Sequence, residues 1–285
     1  MDPRYGERYR ELYQKHWWWR ARTEFVLSVL RRLQPRRGWE TILDIGCGDG
    51  LFFDQLSQFG DVEGVESCPE LVSPDNIYRS RIHVRPFDGD FQPQKRYSLV
   101  LMLDVLEHFE NPVAALRHVV ELLSEDGMLV VTVPAFMTLW TNHDVLNHHF
   151  TRYTRASFSE VAHESCLEVL EARYFYHWTC PMKLGLALAE RVFRTNPELP
   201  SVPAGWINEI LYWISKVEQK TLSKLPVPFG SSLIVVGVKK CHPDSGKGVD
   251  MRESALTNPG NLATRDTVDR HASLCVAEEW EQWEQ

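Results

Sequence analysis

The glycine-rich segment at residues 44–50, Asp-Ile-Gly-Cys-Gly-Asp-Gly, constrains the fold of this 285-residue chain more than any other feature. It follows a short apolar run at 41–45, which predicts a buried strand, and it precedes a helical pattern. Glycines at such a turn let the backbone pass close to a ligand, and a helix N-terminus offers free N–H groups. Because ligands of open parallel sheets lie at the carboxyl ends of the strands, the segment predicts an α/β fold with a ligand at this turn.

Short apolar runs alternate with helical patterns along the chain that follows. They predict strands at 62–66, 98–103, 127–133, 167–176 and 232–239, and helices at 112–123 and 155–166. Continuous apolar runs are typical of parallel strands that are covered on both faces. Two further amphipathic helices are predicted at 180–194 and 205–225, so a helical insertion precedes the last strand.

The sequence also restricts the ligand. A dinucleotide site of the G-x-G-x-x-G type requires glycine where this chain has Leu51, and the sequence contains no G-x-x-x-x-G-K-[ST] phosphate loop. Glu66 ends the second predicted strand, where a carboxylate can bind both hydroxyls of a ribose. Asp88 and Gly89 follow the next extended stretch, placed for the edge of an adenine ring. Together these features indicate an adenine nucleoside that carries no pyrophosphate.

Five motifs, taken in order, resemble those of class I S-adenosylmethionine-dependent methyltransferases. They are residues 44–50, Glu66, 88–93, 103–108 and 123–127, and their order and spacing match over 38–135. The nearer similarity is to the small-molecule branch that includes ubiquinone- and menaquinone-type methyltransferases. The resemblance implies a Rossmann-like, mostly parallel seven-stranded sheet with helices on both faces, and S-adenosylmethionine as the cofactor.

The same resemblance implies a set of cofactor-binding residues. For the methionine part they are Asp44, Gly46, Cys47, Gly48, Asp104 and Val105, for the ribose Glu66, and for the adenine Asp88 and Gly89. Two other classes stay open: a nicotinamide-dependent oxidoreductase on a similar sheet, and a module that binds S-adenosylmethionine without catalysis. Leu51 argues against the first, and the intact glycine loop argues against the second.

The region after the fifth predicted strand is expected to supply the acceptor side. It contains an H-D-x4-H-x2-R-Y segment made of His143, Asp144, His149, Arg152 and Tyr153. This segment resembles the corresponding segment of one methyltransferase subgroup. Proteins of that subgroup also have an aromatic-arginine motif near the N-terminus and a P-F-G-S-S strand, and this chain has similar sequences at 17–22 and 228–232.

Methyl transfer from a sulfonium requires alignment of the reactants and, for a neutral acceptor, removal of a proton. Histidine titrates near neutrality, so His149 and His143 are the candidate general bases, and Tyr153 is the third catalytic candidate. Two alternatives remain: a loop clamp in which Asp144 pairs with Arg152, and a metal site made of His143, Asp144 and His149. We predict no metal, because methyl transfer does not require one and the sequence offers no further evident ligand.

The chain divides into three predicted parts. A helix pattern at 11–37 and its tryptophan cluster give an N-terminal helical cap at 1–37. A methyltransferase domain follows at 38–240, with the insertion at 178–230, and the acidic segment 241–285 is predicted to be a disordered tail. The insertion either packs across the sheet edge, or covers a hydrophobic acceptor, or touches a membrane interface through 180–225.

Charge and cysteine content bear on the expected partners. The net charge is −8, and the segment 241–285 carries four basic and nine acidic residues, so most of that charge belongs to the tail. An acidic chain disfavours nucleic acid as a partner, and the tail's Trp-Glu-Gln doublet suggests docking to a protein. Six cysteines without a C-x-x-C pair, with no signal-peptide pattern, predict a cytoplasmic protein that touches a membrane at most peripherally. We expect methyl transfer to O, C or N of a small-molecule or lipid-like acceptor.

Overall fold

The computed structural model describes residues 3–193, 199–222 and 225–240, with side chains from residue 8 onward. The predicted tail at 241–285 and small parts of the predicted insertion lie outside these residues. Within the described part, every helix is too short or too polar to span a lipid bilayer.

The described residues form one seven-stranded sheet. Its strands are β1 (Thr41–Ile45), β2 (Asp61–Glu66), β3 (Ile82–Val84), β4 (Tyr97–Leu103), β5 (Leu123–Pro134), β6 (Leu167–Phe175) and β7 (Ser232–Lys239). Their order is β3-β2-β1-β4-β5-β7-β6, and β7 runs antiparallel to both of its neighbours. The predicted α/β, Rossmann-like, mostly parallel sheet is therefore confirmed, and the predicted strands agree with the observed ones to within a few residues at most boundaries.

Eight α-helices accompany the sheet in the described residues. They are α1 (Pro3–Lys15), α2 (Trp17–Leu33), α3 (Phe53–Leu56), α4 (Pro112–Leu122), α5 (Asn142–Leu146), α6 (Arg155–Glu164), α7 (Thr179–Phe193) and α8 (Gly205–Lys220). The prediction of a single helix at 11–37 is wrong, because the helix is interrupted at His16. Its backbone is extended (φ −74°, ψ 132°), and its Nδ1 accepts a hydrogen bond from the Trp18 N–H at 3.2 Å, so His16 caps α2.

Both faces of the sheet are covered by apolar side chains. Along β4, Val100 and Met102 point into the core beneath α4, while Leu99 and Leu101 point into the core beneath α2. This alternation follows from the two-residue period of a strand. The continuous apolar run that predicted β4 therefore reflects burial on both faces.

The predicted helical insertion before the last strand is present as α7 and α8. Asn208 on α8 joins it to the N-terminal helices, since its side chain accepts from the Trp17 N–H at 2.9 Å and donates to the Lys15 carbonyl at 2.8 Å. Gln219 donates to the Ala21 carbonyl at 2.9 Å. The insertion thus packs on the N-terminal helices through hydrogen bonds to the junction between α1 and α2.

We predict that Asn208→Ala destabilises the protein by roughly 1–2 kcal/mol, because it removes two part-buried hydrogen bonds and leaves the Trp17 N–H without its partner. Urea unfolding followed by circular dichroism measures the change. The control is Glu209→Ala, which removes an exposed ion pair with Arg20 on the same helix and should cost less than about 1 kcal/mol. Equal losses for the two variants would contradict the assigned role of Asn208.

Candidate active site

A cavity of about 700 Å³ lies at the carboxyl ends of the parallel strands. Its walls come from the ends of β1, β2 and β4, from the N-terminal helices α1 and α2, from the loop after β5, and from α7. β2 and β4 lie on opposite sides of β1, so the loops that leave β1 and β4 diverge and open a crevice. The cavity therefore lies where the sequence analysis expects the ligand.

The glycine loop after β1 forms one wall. Gly46 and Gly48 have left-handed backbones (φ 71° and 55°), which residues with a side chain rarely adopt. A Cβ on Gly46 would lie 2.5 Å from Val105 Cγ2, and one on Gly48 would lie 3.1 Å from the Tyr9 ring. Any other residue at either position would therefore strain the backbone and approach a neighbouring side chain too closely. The loop and Val105 together form a narrow cradle.

Glu66 stands at the end of β2, facing the same cavity. Its side chain is 5% exposed, and its carboxylate accepts hydrogen bonds from the Gly48 N–H at 2.9 Å and the Cys68 N–H at 2.8 Å. A carboxylate has about four acceptor positions, and the Ser67 hydroxyl also donates to Oε1 at 3.5 Å, so about one position remains for a ligand. The two backbone bonds hold the carboxylate in place for that purpose.

Four of the predicted cofactor residues do not line this cavity: Asp44, Cys47, Asp88 and Gly89. Asp88 and Gly89 are exposed and do not line the cavity, whereas the preceding Pro86 and Phe87 do. Cys47 is buried, and a Cβ on Gly64 would lie 2.4 Å from its Sγ, so its side chain points into the core. Burial raises the pKa of this thiol, and only its backbone belongs to the loop.

Asp44 is buried beneath the glycine loop. Burial raises its pKa from 3.8 to about 7, while the positive charge of Arg22 opposes the rise and the negative charge of Glu66 adds to it. A second cavity of about 20 Å³ touches Asp44, Arg22, Gly46 and Leu103. Because that volume accommodates about one water molecule, Asp44 can act on a ligand in the main cavity through water.

Arg22 is a site residue that the sequence analysis missed. It projects from α2 into the cavity wall, is buried, and donates to Asp104, whose own backbone is left-handed (φ 57°). Its Nε has no hydrogen-bond partner in the described part of the chain. The only sequence signal was its place in the aromatic-arginine motif at 17–22, which does not reveal a partner 82 positions away.

The acceptor side is organised around the buried carboxylate of Asp144. It accepts from His149 Nδ1 at 2.8 Å, from Arg152 Nε at 2.9 Å and Nη2 at 2.8 Å, and from the Thr141 N–H at 2.8 Å. The hydrogen bonds from His149 and Arg152 hold the pKa of Asp144 well below its usual range, although burial opposes them. The pair of Asp144 and Arg152 clamps the loop, and the same carboxylate orients His149.

Three histidines meet at this wall of the cavity. The His149 ring lies edge-on to His108 and His143, with centroid distances of 4.7 and 6.2 Å. Burial lowers the pKa of both His108 and His143 to about 3, so both stay neutral and are poor bases near pH 7. Since ionised Asp144 can only accept, Nδ1 of His149 donates, and Nε2 is the acceptor atom of the neutral ring.

Glu107 lies beside these histidines. It is 1% exposed, and its Oε2 has no hydrogen-bond partner among the residues that the structure describes. Burial and the nearby negative charge of Asp104 raise its pKa well above the usual range, which favours its protonated form. Ligand atoms of Glu107, His108 and His149 lie within 4.8 Å of one another. This cluster differs from the metal set weighed from the sequence, because Asp144 is engaged by Arg152 and His149.

Tyr153 does not line the cavity. Its backbone bridges to Ala135, with Tyr153 N–H donating to the Pro134 carbonyl at 2.9 Å, and this pairing directs the side chain into the core. The ring packs edge-on against Phe158, and burial raises the pKa of the hydroxyl. Its predicted catalytic role therefore has no contact with the cavity to support it.

Comparisons with known proteins identify the family of this chain. A family model described as a methyltransferase domain matches residues 18–172. The chain is 31% identical over 127 residues to the ubiquinone biosynthesis O-methyltransferase of Azorhizobium caulinodans, covering 39% of this chain and 50% of the relative. It is 32% identical over 101 residues to the protein of that name from Cereibacter sphaeroides, covering 31% and 39%. The aligned region thus spans half the length, or less, of these two relatives.

A solved structure shares the fold. It is the methyltransferase in a complex with the Haloferax volcanii Trm112 methyltransferase activator, with a TM-score of 0.53 and 19% sequence identity. The match covers 84% of this chain and 96% of that one. At this identity the likeness concerns the fold alone.

The chain belongs to the methyltransferase-domain family, because the family model matches more than half of it. This membership confirms the class of protein and the cofactor, S-adenosylmethionine, that the motifs predicted. The nicotinamide-dependent oxidoreductase is thereby set aside.

We predict that Asp44→Asn stabilises the protein increasingly as the pH rises. In the folded state Asp44 keeps its proton up to about pH 7, whereas unfolded it ionises near pH 4. The wild type therefore binds more protons when folded, and loses stability as pH rises toward 7. Since the variant lacks this titration, its advantage over the wild type should grow by roughly 2–3 kcal/mol between pH 5 and pH 8.

Urea unfolding at both pH values measures this difference. Asp61→Asn, which changes an exposed aspartate, is the control and should show a nearly constant difference from the wild type. If the Asp44→Asn difference is also independent of pH, the carboxyl is ionised in the folded protein and the assignment is wrong.

Proposed function

We propose that this enzyme transfers the methyl group of S-adenosylmethionine to a hydroxyl oxygen of a small, partly apolar acceptor. The observation that carries the proposal is the Asp144–His149 pair, which faces the same cavity as the glycine loop. The O-methyltransferase names of the curated relatives support oxygen as the methylated atom.

The residues present fit the cofactor, because a side chain at Gly46 would fill the cradle next to Val105. In this proposal Gly46, Gly48 and Val105 hold the methionine part, and Glu66 binds the ribose. Asp44 acts on the ammonium group through water, and buried Arg22 with its unpartnered Nε acts on the carboxylate. The cofactor supplies an electrophilic methyl group on a positively charged sulfur.

Phe87 supplies an apolar surface for the adenine in the same proposal. Asp88 and Gly89, next to it in sequence, keep their predicted role at the adenine edge, and Cys47 contributes its backbone. Asp104 pairs with Arg22, and both residues line the cavity. In this proposal the pair lies beside the methionine part of the cofactor.

His149 acts as the general base. Its Nε2 takes the proton from the acceptor hydroxyl, while Asp144 keeps Nδ1 protonated and stabilises the imidazolium that forms. His108 and His143 stay neutral beside it and add no competing positive charge. Protonated Glu107 can donate a hydrogen bond to an oxygen of the acceptor, since its Oε2 has no partner in the described residues.

The exposed faces of α7 and α8 support a lipid-like acceptor. Large apolar side chains there face solvent: Met182, Leu184, Leu186, Leu188, Val192, Phe193, Trp206, Ile207, Ile210, Trp213, Ile214 and Val217. Leu186 belongs to this face, 51% exposed, and also lines the cavity, so the apolar surface reaches the site. Exposed apolar side chains in this number indicate an interaction site, and amphipathic helices with tryptophans suit a membrane interface. We infer that an acceptor with an apolar tail enters from this side.

We predict that His149→Ala lowers kcat by about 10²–10⁴-fold and leaves the affinity for S-adenosylmethionine unchanged, because the residue handles the acceptor's proton. Transfer of labelled methyl from the cofactor to lipid and small-molecule extracts measures turnover, and calorimetry measures cofactor affinity. His163→Ala, which removes an exposed histidine on α6, is the matched control.

Unchanged turnover in His149→Ala would reduce His149 to a member of the loop clamp. Loss of activity with EDTA and recovery with zinc would instead assign Glu107, His108 and His149 as a metal site. Either outcome would contradict the general-base role of His149.

We predict that the protein sediments with vesicles of phosphatidylcholine and phosphatidylglycerol, and that Trp213→Ser weakens this binding by roughly tenfold through loss of buried apolar area. The control is Leu170→Ser, which removes an equally exposed apolar side chain from β6. Equal binding of the wild type and Trp213→Ser to the vesicles would contradict the membrane contact and would leave the catalytic proposal unaffected.

A further inference from the structure

Lys183 is a charged residue of the cavity that the proposed reaction does not use. It lies on α7, and Thr179 and Leu186, one turn away on the same helix face, line the cavity with it. The side chain is half-buried. His143 lines the same cavity, and the positive charge of Lys183 adds to burial in lowering the pKa of His143.

The other two strongly basic side chains that line the cavity have carboxylate partners. Arg22 pairs with Asp104, and Arg152 pairs with Asp144. In the part of the chain that the structure describes, Lys183 has no hydrogen bond and no ion pair. The negative charges of Asp144 and Asp104 act on Lys183 only from beyond ion-pair distance, and each of these carboxylates is paired with an arginine.

An ammonium group in this setting favours an anionic partner. Burial and the charge of Arg152 lower its pKa to about 8, so it still carries its charge at pH 7. It has three donors that have lost part of their hydration. Holding a charge away from water without a partner is unfavourable, and an anionic oxygen on a ligand would remove that penalty.

We propose that Lys183 binds a carboxylate on the acceptor, so that the substrates of this enzyme are hydroxylated carboxylic acids. This inference rests on the proposed function. Lys183 lies on α7 with the acceptor-side loop, whereas Arg22 stands at the methionine side, so the two cations serve different anions. The carboxylate fixes the acceptor at one end while His149 reaches its hydroxyl at the other.

The test uses the full chain loaded with S-adenosylhomocysteine, and two probes of the same shape: 3,4-dihydroxybenzoate and its uncharged amide. Calorimetry should show that the wild type binds the acid roughly ten to a hundred times more tightly than the amide. Lys183→Met should abolish this preference, and Lys183→Arg should retain most of it. Lys220→Met, which removes an exposed lysine from α8, is the control and should behave as the wild type.

An acid that binds the wild type no more tightly than the amide would overturn the proposal. So would a preference that survives Lys183→Met, or a tenfold loss of S-adenosylhomocysteine affinity in that variant, which would assign the lysine to the cofactor. Thermal unfolding of each variant shows that it is folded. An intact acid preference without methyl transfer would count against the proposed function alone.

Discussion

β1 has its sequential neighbour β2 on one side and β4 on the other, and this reversal of strand order determines where the functional groups can lie. The loop after β1 leaves in one direction and the loop after β4 in the other, so a crevice remains that the sheet itself cannot fill. Gly46 and Val105 stand on its two sides, close enough that a single Cβ would close the gap. Glu66 and Asp104, at the ends of β2 and β4, bring carboxylates to the same edge.

Around this crevice the chain builds two walls of different chemistry. The cofactor wall combines backbone groups, such as the amides of Gly48 and Cys68 that hold Glu66, with the long-range pair of Arg22 and Asp104. The acceptor wall depends on one buried carboxylate, Asp144, which ties the loop to Arg152 and sets the tautomer of His149. Losing Asp144 would therefore change the position and the protonation of the proposed base together.

Sequence reasoning succeeded where function follows from local backbone or from spacing. The glycine turn, Glu66 and the strand pattern are of this kind. A glycine turn after a strand and a carboxylate twenty residues later can be recognised from the local sequence and the spacing alone. It failed where contacts between distant parts of the chain decide. The sequence around Arg22 does not reveal its partner Asp104, and the sequence around Lys183 does not reveal that it lines the cavity. Tyr153 points into the core only because its backbone pairs beside Ala135. The break at His16 was missed because a cap depends on one hydrogen bond and leaves the helical periodicity unchanged.

The bonds of Asn208 to Trp17 and Lys15 connect residues 191 and 193 positions apart. The N-terminal helices line the cavity through Tyr9, His16 and Arg22, whereas α8 contributes none of its described residues. Asn208 therefore supports a cavity wall that it does not touch, so a substitution on α8 can alter cofactor binding from outside the site.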